Sequence, residues 1–294
     1  MMRAISRRTI LLGGTLGALT AAAGGVYGLV EAEVIPGRFA LDRSLGRCGS
    51  APPVPFAQAS VQESSFHSAA RGRSVSVVMA APPGPLRGLP VVIVLHGLGG
   101  AAHSLLGLHL DRYLAQAVAQ GVPPFALVGV DGGGTYWHPR ASGDDPVKMI
   151  TSEVLPLVRG QGLRTDRIGV LGWSMGGYGA LLLAQTLGPS RVAAVSASSP
   201  AVFSSYANAH AANSSAFDSA EDFSAHDVLN GVDRLRGVAV SADCGHSDPF
   251  ASVTSRLLRR LDHPAGGLFE GCHDGAYWSR RAPAALAFLG RHLR

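Results

Sequence analysis

The sequence predicts an α/β fold in which a mostly parallel sheet carries helices on both faces. Short, continuous apolar runs such as 91–95 are typical of buried strands. They alternate along the chain with longer segments of helical pattern, such as 104–120, which Gly121 and Pro123 follow. Strands that alternate with helices form parallel sheets covered on both faces. Ligands of such sheets sit beyond the carboxyl ends of the strands, so we expect functional residues there.

The predicted elements follow one another from about residue 61 to the end of the chain. We predict strands at 75–80, 91–95, 125–130, 167–171, 192–196, 238–241 and 267–270. We predict helices at 104–120, 148–159, 175–187, 249–261 and 282–292. A polar stretch at 199–236, rich in Ser and Ala, separates two of the strands and is a candidate cap over the site.

The composition fits a folded domain. Of the 294 residues, 47% are hydrophobic and 15% are charged, so the chain can bury a substantial core and does not belong to the disordered class. The net charge is +5, but removing residues 1–32 takes away three arginines and one glutamate and leaves +3. The remainder has no dense basic run, so we expect no nucleic-acid partner.

The N-terminus has the charge pattern of an export signal. Two adjacent arginines precede an apolar stretch, and residues 9–30 contain no charged side chain. This pattern is typical of the twin-arginine export route, although a retained anchor with membrane attachment through residues 9–30 stays open. We predict a twin-arginine-type signal peptide or membrane anchor at 1–32, a linker at 33–60 and a folded domain at 61–294. That domain is expected to be exported, in the cell envelope or secreted.

The segment from Gly172 to Gly176 reads G-W-S-M-G and lies between a predicted strand and a predicted helix. A turn this sharp strains the backbone of the serine and leaves no room for side chains at the flanking glycines. The serine hydroxyl then projects at a helix N-terminus, where developing negative charge is favoured. We predict that Ser174 is a nucleophile; a serine that only caps the helix is the structural alternative.

A second glycine-rich turn, HGLGG at 96–100, follows the strand at 91–95. Such a turn offers a backbone N–H to the oxyanion of a tetrahedral intermediate. We assign one oxyanion-hole donor to Leu98 and the second to Met175, directly after the nucleophile. His96 is interpreted as support for this loop, and an ordinary strand-to-helix turn is the alternative.

A nucleophilic serine needs a base within hydrogen-bond reach, and the base needs an orienting carboxylate. With a G-x-S-x-G turn, these partners follow the serine in the order acid, then histidine. His273 directly follows the last predicted strand and is the candidate base, with His246 as its rival. Asp248, in the loop after the strand at 238–241, is the candidate acid, with Asp243 as its rival.

Together these segments resemble the putative-esterase family of the α/β-hydrolase superfamily, which includes esterase D (S-formylglutathione hydrolase), feruloyl-type esterases and mycolyltransferases. The resemblance covers about residues 70–294 and rests on HGLGG at 96–100, DGG at 131–133, EVLP at 153–156, GWSMGG at 172–177, CGHSDPF at 244–250 and HDGAYW at 273–278. It implies the α/β-hydrolase fold and a catalytic triad of Ser174, Asp248 and His273. It also implies oxyanion donors at Leu98 and Met175.

The sequence therefore predicts a serine esterase that acts on a small-molecule or lipid ester through an acyl-enzyme on Ser174. Two alternatives stay open: an acyltransferase that moves an acyl chain to a carbohydrate alcohol, and a non-catalytic cell-envelope binding protein. We expect no cofactor and no metal, because the chain shows no zinc-ligand spacing and no phosphate-cradling loop.

Two further predictions concern the surroundings of the site. Aromatic side chains that could line an acyl pocket, with ordinary packing as an equal alternative, are Tyr136, Trp137, Phe203 and Tyr206. Three cysteines allow three pairings. Because the strands that precede Asp248 and His273 are neighbours in this fold, we hypothesise a disulfide between Cys244 and Cys272, with Cys48 unpaired.

Overall fold

The computed structural model describes residues 38–293, which divide into two units at Arg47 and Cys48. In the first unit, helix α1 (Arg38–Ser44) lies within the range predicted as a linker, and Arg47 donates to the Asp42 carboxylate. The predicted signal peptide or anchor at 1–32 lies outside the described residues. None of the helices between residues 38 and 293 is long and apolar enough to span a membrane.

The second unit is built on one eight-stranded sheet. The strands are β1 (Ser60–Ser68), β2 (Arg73–Ala81), β3 (Pro90–Leu95), β4 (Ala126–Val130), β5 (Arg164–Trp173), β6 (Val192–Ser198), β7 (Ala239–Ser247) and β8 (Ala265–Cys272). Their spatial order is β1-β2-β4-β3-β5-β6-β7-β8. β1 and β2 run antiparallel to their neighbours and all other pairs are parallel, which confirms the predicted mostly parallel sheet.

Helices follow most of the parallel strands. They are α2 (Ser104–Gly107), α3 (Leu110–Ala119), α4 (Pro146–Met149), α5 (Leu155–Gly160), α6 (Met175–Leu187), α7 (Tyr206–Ala212), α8 (Ala220–Ala225), α9 (Ala251–Arg260) and α10 (Gly275–His292). A π-helical turn (Ile150–Val154) joins α4 to α5, and a 3-10 turn (Val232–Leu235) precedes β7.

Both faces of the sheet are covered, because alternate residues of each strand enter different cores. In β2, Val77 belongs to the core that includes α6, whereas Val78 belongs to the core that includes α3 and α10. Each core is continuous across several strands. The carboxyl ends of β3 to β8 are thereby held at one rigid edge, where the loops that carry the predicted site residues begin.

Several elements differ from their predictions for identifiable reasons. β1 is absent from the predicted strands because it is an edge strand whose side chains are mostly exposed and polar. The helix predicted at 104–120 is interrupted at His109, whose φ is 56°. The closing helix begins at Gly275 rather than at 282, because the Asp274 side chain caps it by accepting from Tyr277 N. Pro283, which is typical of a helix start, lies inside it.

Candidate active site

Ser174 occupies the sharp turn between β5 and α6. Its φ of 56° and ψ of −124° are strained for a residue with a side chain. The turn also brings backbones together: a Cβ on Gly172 would lie 2.1 Å from Gly176 O, and one on Gly176 would lie 1.9 Å from Leu95 O. Only glycine fits at these two positions, so the motif is required by the close approach of the chain.

Three side chains from the ends of three strands meet beside this turn. His273 Nε2 lies 2.8 Å from Ser174 Oγ, and His273 Nδ1 lies 2.8 Å from Asp248 Oδ2. The other carboxylate oxygen of Asp248 accepts from Phe250 N at 2.8 Å, and Asp248 is fully buried. The carboxylate orients the imidazole so that Nδ1–H donates to it and Nε2 is left to accept from the serine hydroxyl.

The rival residues of the sequence interpretation lie elsewhere. Asp243 is buried in the middle of β7, where it accepts from Ser198 Oγ at 2.7 Å and from the Tyr277 hydroxyl at 2.9 Å. Burial raises the pKa of Asp243. His246 is exposed. The structure thus brings Asp248 and His273 to Ser174 and gives Asp243 a different set of partners.

The two predicted oxyanion donors flank the nucleophile on separate segments. Met175 is the first residue of α6, and Leu98 lies in the turn after β3 with its side chain at the mouth of a cleft. A Cβ on Gly97 would lie 3.3 Å from Ser174 Cβ, so this turn passes close to the serine.

His96 holds the turn in place from beneath. Its Nε2 accepts from Gly132 N at 2.9 Å, so Nδ1 carries the proton and donates to Gly97 O at 2.7 Å. Burial lowers the pKa of His96, which keeps the ring neutral in this arrangement. Because C=O and N–H of a trans peptide point in opposite directions, fixing Gly97 O turns the Leu98 N–H away from His96.

Asp131, which the sequence analysis left without a role, also supports this turn. Its carboxylate accepts from Ala102 N at 2.6 Å and from Ser76 N at 3.0 Å. These hydrogen bonds lower the pKa of Asp131 against the effect of burial. The buried Arg71 donates to Asp131 O and Gly132 O and pairs with the Asp144 carboxylate. The DGG segment at 131–133, which carries part of the family resemblance, was the sequence feature from which a role for Asp131 could have been predicted.

Two aromatic rings flank the imidazole of His273. The Phe250 ring centroid lies 5.3 Å from that of His273, and the Trp278 ring stands edge-on to it at 5.2 Å. Both residues lie in segments that carry the family resemblance, 244–250 and 273–278. The sequence predicted roles there only for Asp248 and His273. Their packing limits the movement of the imidazole.

Ser174 opens into a mostly apolar cleft of about 630 Å³. Its wall includes Leu98, Tyr136, Ala201, Phe203, Asn213 and Trp278. Two of the four aromatic residues predicted for an acyl pocket, Tyr136 and Phe203, therefore line it.

The other two do not line this cleft. Trp137 is almost completely buried and fills the space beside Gly132 and Gly179, where a Cβ would lie within 2.4 and 2.5 Å of its side chain. Tyr206, the first residue of α7, packs against Phe223 of α8. The Trp137 indole therefore contributes to packing and not to the cleft lining. It fits because Gly132 and Gly179 have no side chains.

The hypothesis of a Cys244–Cys272 disulfide is wrong, since Cys272 is bonded to Cys48. β7 and β8 are neighbours as expected, but the register sets Cys272 opposite Ser247 and Cys244 opposite Leu268. The Cys244 thiol is free and buried, and burial raises its pKa. The disulfide thus joins the residue before His273 to the start of the second unit.

Within residues 38–293, two groups of side chains are close enough to share a metal ion. One consists of Asp274 with Cys48 and Cys272, whose sulfurs form the disulfide. The other consists of His138, Asp222 and His226. Both ring nitrogens of His138 lie within 3.1 Å of carbonyl oxygens, and His226 Nδ1 lies 3.0 Å from Asp222 Oδ1. These contacts already use the ligand atoms, so neither group indicates a metal centre.

Comparisons with known proteins agree on the family and on the fold. The family described as "Putative esterase" matches residues 68–289. A ferulic acid esterase superposes with a TM-score of 0.69 at 21% identity, covering 81% of this chain and 100% of that one. S-formylglutathione hydrolase of Staphylococcus aureus gives 0.66 at 18% identity (80% and 100% covered), and MPT51 of Mycobacterium tuberculosis gives 0.67 at 14% (80% and 99%). No curated protein matches the chain in sequence.

Proposed function

The chain belongs to the Putative esterase family, and from this membership we infer that it is a serine esterase with Ser174 as its nucleophile. The observation that carries the proposal is the pair of 2.8 Å hydrogen bonds that join Ser174 to His273 and His273 to Asp248. A buried carboxylate, an imidazole and a serine hydroxyl in this order form the arrangement that activates serine for acyl transfer.

In the proposed mechanism, Ser174 Oγ attacks the ester carbonyl while His273 Nε2 takes the hydroxyl proton. Asp248 stabilises the imidazolium that forms. The backbone N–H groups of Leu98 and Met175 hold the oxyanion, and each such donor can contribute about 3 kcal/mol to the transition state. His273 then gives its proton to the departing alcohol. Water attacks the acyl-enzyme with the same base and releases the carboxylic acid.

The test is hydrolysis of p-nitrophenyl esters of increasing acyl length by the wild type and by Ser174→Ala. We expect kcat/KM of the variant to fall by about a thousandfold or more, since no other side chain replaces Ser174 as the nucleophile. Ser204→Ala, at an exposed serine beside Phe203, serves as the matched control and should retain wild-type rates.

A Ser174→Ala enzyme that keeps its activity would contradict the proposal. If the wild type hydrolyses no ester although a fluorophosphonate still labels Ser174, the acyl group goes to an acceptor other than water. A carbohydrate alcohol is then the acceptor to add. If the reagent does not label Ser174 either, the chain is better described as a non-catalytic binding protein.

Export of the domain remains a prediction from the N-terminal sequence. The Cys48–Cys272 disulfide supports it, because such bonds persist in oxidising compartments. Replacing both arginines of the twin-arginine pair with lysine should retain the protein in the cytoplasm of a bacterial host.

A further inference from the structure

Part of the wall of the cleft is built from two segments that lie far apart in the sequence. Tyr136 comes from the loop at 131–141 after β4, here called the Tyr136 loop. Asn213 comes from residues 199–236, here called the cap segment. Both side chains line the same cleft, and the neighbouring Asn213 side chain lowers the pKa of Tyr136, although burial raises that pKa more strongly. The two segments therefore meet at the cleft itself.

Arg140 of the Tyr136 loop holds the cap segment through all three nitrogens of its guanidinium group. Its Nε and Nη2 donate to the Asp218 carboxylate, with Nη2 at 2.6 Å from Oδ1. Its Nη1 donates to Ser215 O at 3.0 Å and to Ala216 O at 3.1 Å. The next residue, Ala141, donates its backbone N–H to Asp218 Oδ2 at 2.7 Å.

This pair differs from an ordinary surface ion pair. The Arg140 side chain is only 13% exposed, and its planar head bridges a carboxylate and two carbonyls that a flexible ammonium group could not all reach. The hydrogen bonds from Arg140 and Ala141 lower the pKa of Asp218 to about 2. Asp218 is therefore ionised throughout the pH range in which an esterase assay is run.

The residues that Arg140 contacts are connected to two residues that line the cleft, Asn213 and Tyr136. Ser215 N donates to Asn213 Oδ1 at 3.0 Å, which orients the amide that meets Tyr136. Phe217 lies between Ala216 and Asp218, which Arg140 contacts, and its ring is 5.8 Å from that of Tyr136. A second link, from His138 Nε2 to Ala216 O at 3.1 Å, attaches the same stretch independently of Arg140. Loss of Arg140 should therefore loosen the wall without unfolding the domain.

We propose that Arg140 is a positioning residue that sets acyl specificity, by clasping residues 213–218 of the cap segment to the Tyr136 loop. It acts through Asn213 and Tyr136 and touches neither the reacting atoms nor the triad. The proposal rests on the proposed esterase function, since the part of the wall that Arg140 holds is the part expected to contact the acyl group. With the clasp intact, the cleft accepts acyl groups of one size range. Without it, the wall moves and that selection weakens.

The experiment compares p-nitrophenyl esters from acetate to dodecanoate in Arg140→Met and Asp218→Asn. The ratio of kcat/KM for the best ester to kcat/KM for acetate should change by about tenfold, as expected when one hydrophobic pocket wall is displaced. The change should lie in KM, with kcat for acetate within about twofold of the wild type. Arg140→Lys, which keeps the charge opposite Asp218, should restore part of the ratio.

The matched control is Arg236→Met, which removes an arginine paired with Asp233 on the exposed surface of the same segment. This variant should keep the wild-type ratio. An unchanged ratio in Arg140→Met, or an equal loss for all esters, would overturn the proposal.

A second measurement does not depend on turnover. Binding of octanoic and dodecanoic acids is followed by the fluorescence of Trp173 and Trp278, which line the cleft. If the wild type hydrolyses nothing, the esterase proposal fails, but a shift in the relative Kd of the two acids in Arg140→Met still supports the clasp. If Arg140→Met leaves the two Kd values unchanged, the clasp does not set the wall.

Discussion

The two sides of the cleft are held in different ways. Around Ser174, backbone segments touch so closely that Gly172 and Gly176 leave no space for a Cβ. On the side formed by the Tyr136 loop and the cap segment, contact is made by side chains that bridge residues 75 to 78 positions apart, as between Arg140 and the stretch from Ser215 to Asp218. Backbone contact cannot relax, whereas side-chain bridges can be lost one at a time. Substitutions should therefore act in an all-or-none way on the first side and gradually on the second.

The largest effect is expected for Gly176→Ala. Its Cβ would lie 1.9 Å from Leu95 O and 2.7 Å from His96 O, so β3 and α6 would have to separate. We expect destabilisation by more than about 4 kcal/mol together with loss of ester hydrolysis. Denaturant unfolding and the assay measure the two effects. Gly160→Ala, with no atom within 4 Å of its added Cβ, is the control. A stable, active Gly176→Ala enzyme would refute the steric account.

Asp248→Asn should leave the fold intact and lower kcat by about a thousandfold or more, because an amide stabilises the wrong tautomer of His273. Asp243→Asn keeps an oxygen for Ser198 and Tyr277 and should retain most of kcat. Steady-state kinetics of both variants decide between the two acids. The reverse ranking would make Asp243 the functional acid.

Cys48→Ser should lower the free energy of unfolding by about 2–4 kcal/mol through loss of the bond to Cys272. Denaturant titration without reductant measures this. In denatured, unreduced wild type, titration should find one thiol, from Cys244, and three thiols after reduction. Three free thiols before reduction would show that the bond does not form.

The smallest effect concerns pH. Burial lowers the pKa of His138, against the raising influence of Ala216 O, Pro139 O and Asp222, while His226 lowers it further. The unfolded chain therefore binds the proton more readily, and stability falls as the pH drops below about 6.5. In His138→Gln, the free energy of unfolding should depend less steeply on pH between about 5 and 7. Part of the slope should persist, since the pKa of buried His96 is lowered as well. An unchanged slope would mean that His138 does not contribute.

The side of the cleft around Ser174 could be predicted because its constraints are local in the sequence. A glycine forced by backbone contact leaves a short motif, and the parallel sheet brings successive loops to one edge. The sheet, the family and the elements that carry Ser174, Asp248 and His273 were accessible in this way.

The remainder depends on distances that no short segment encodes. The pairing of Cys272 is decided by the register of β7 against β8, which includes an irregularity between Gly245 and Ser247. Trp137 is buried because glycines 47 residues apart leave room for one indole. The contacts of Arg140 depend on where the cap segment returns to the domain, which polar composition does not reveal.

The Cys48–Cys272 bond has a consequence for limited proteolysis, because its partners are separated by 224 positions. Nearly the whole second unit becomes a covalent ring. A protease that cuts once in an exposed stretch of the cap segment opens the ring and releases no fragment. Ser174 and His273 then lie on different pieces that one sulfur bridge still connects. Such a nicked molecule would migrate as a single band until a reductant is added, and only then as two.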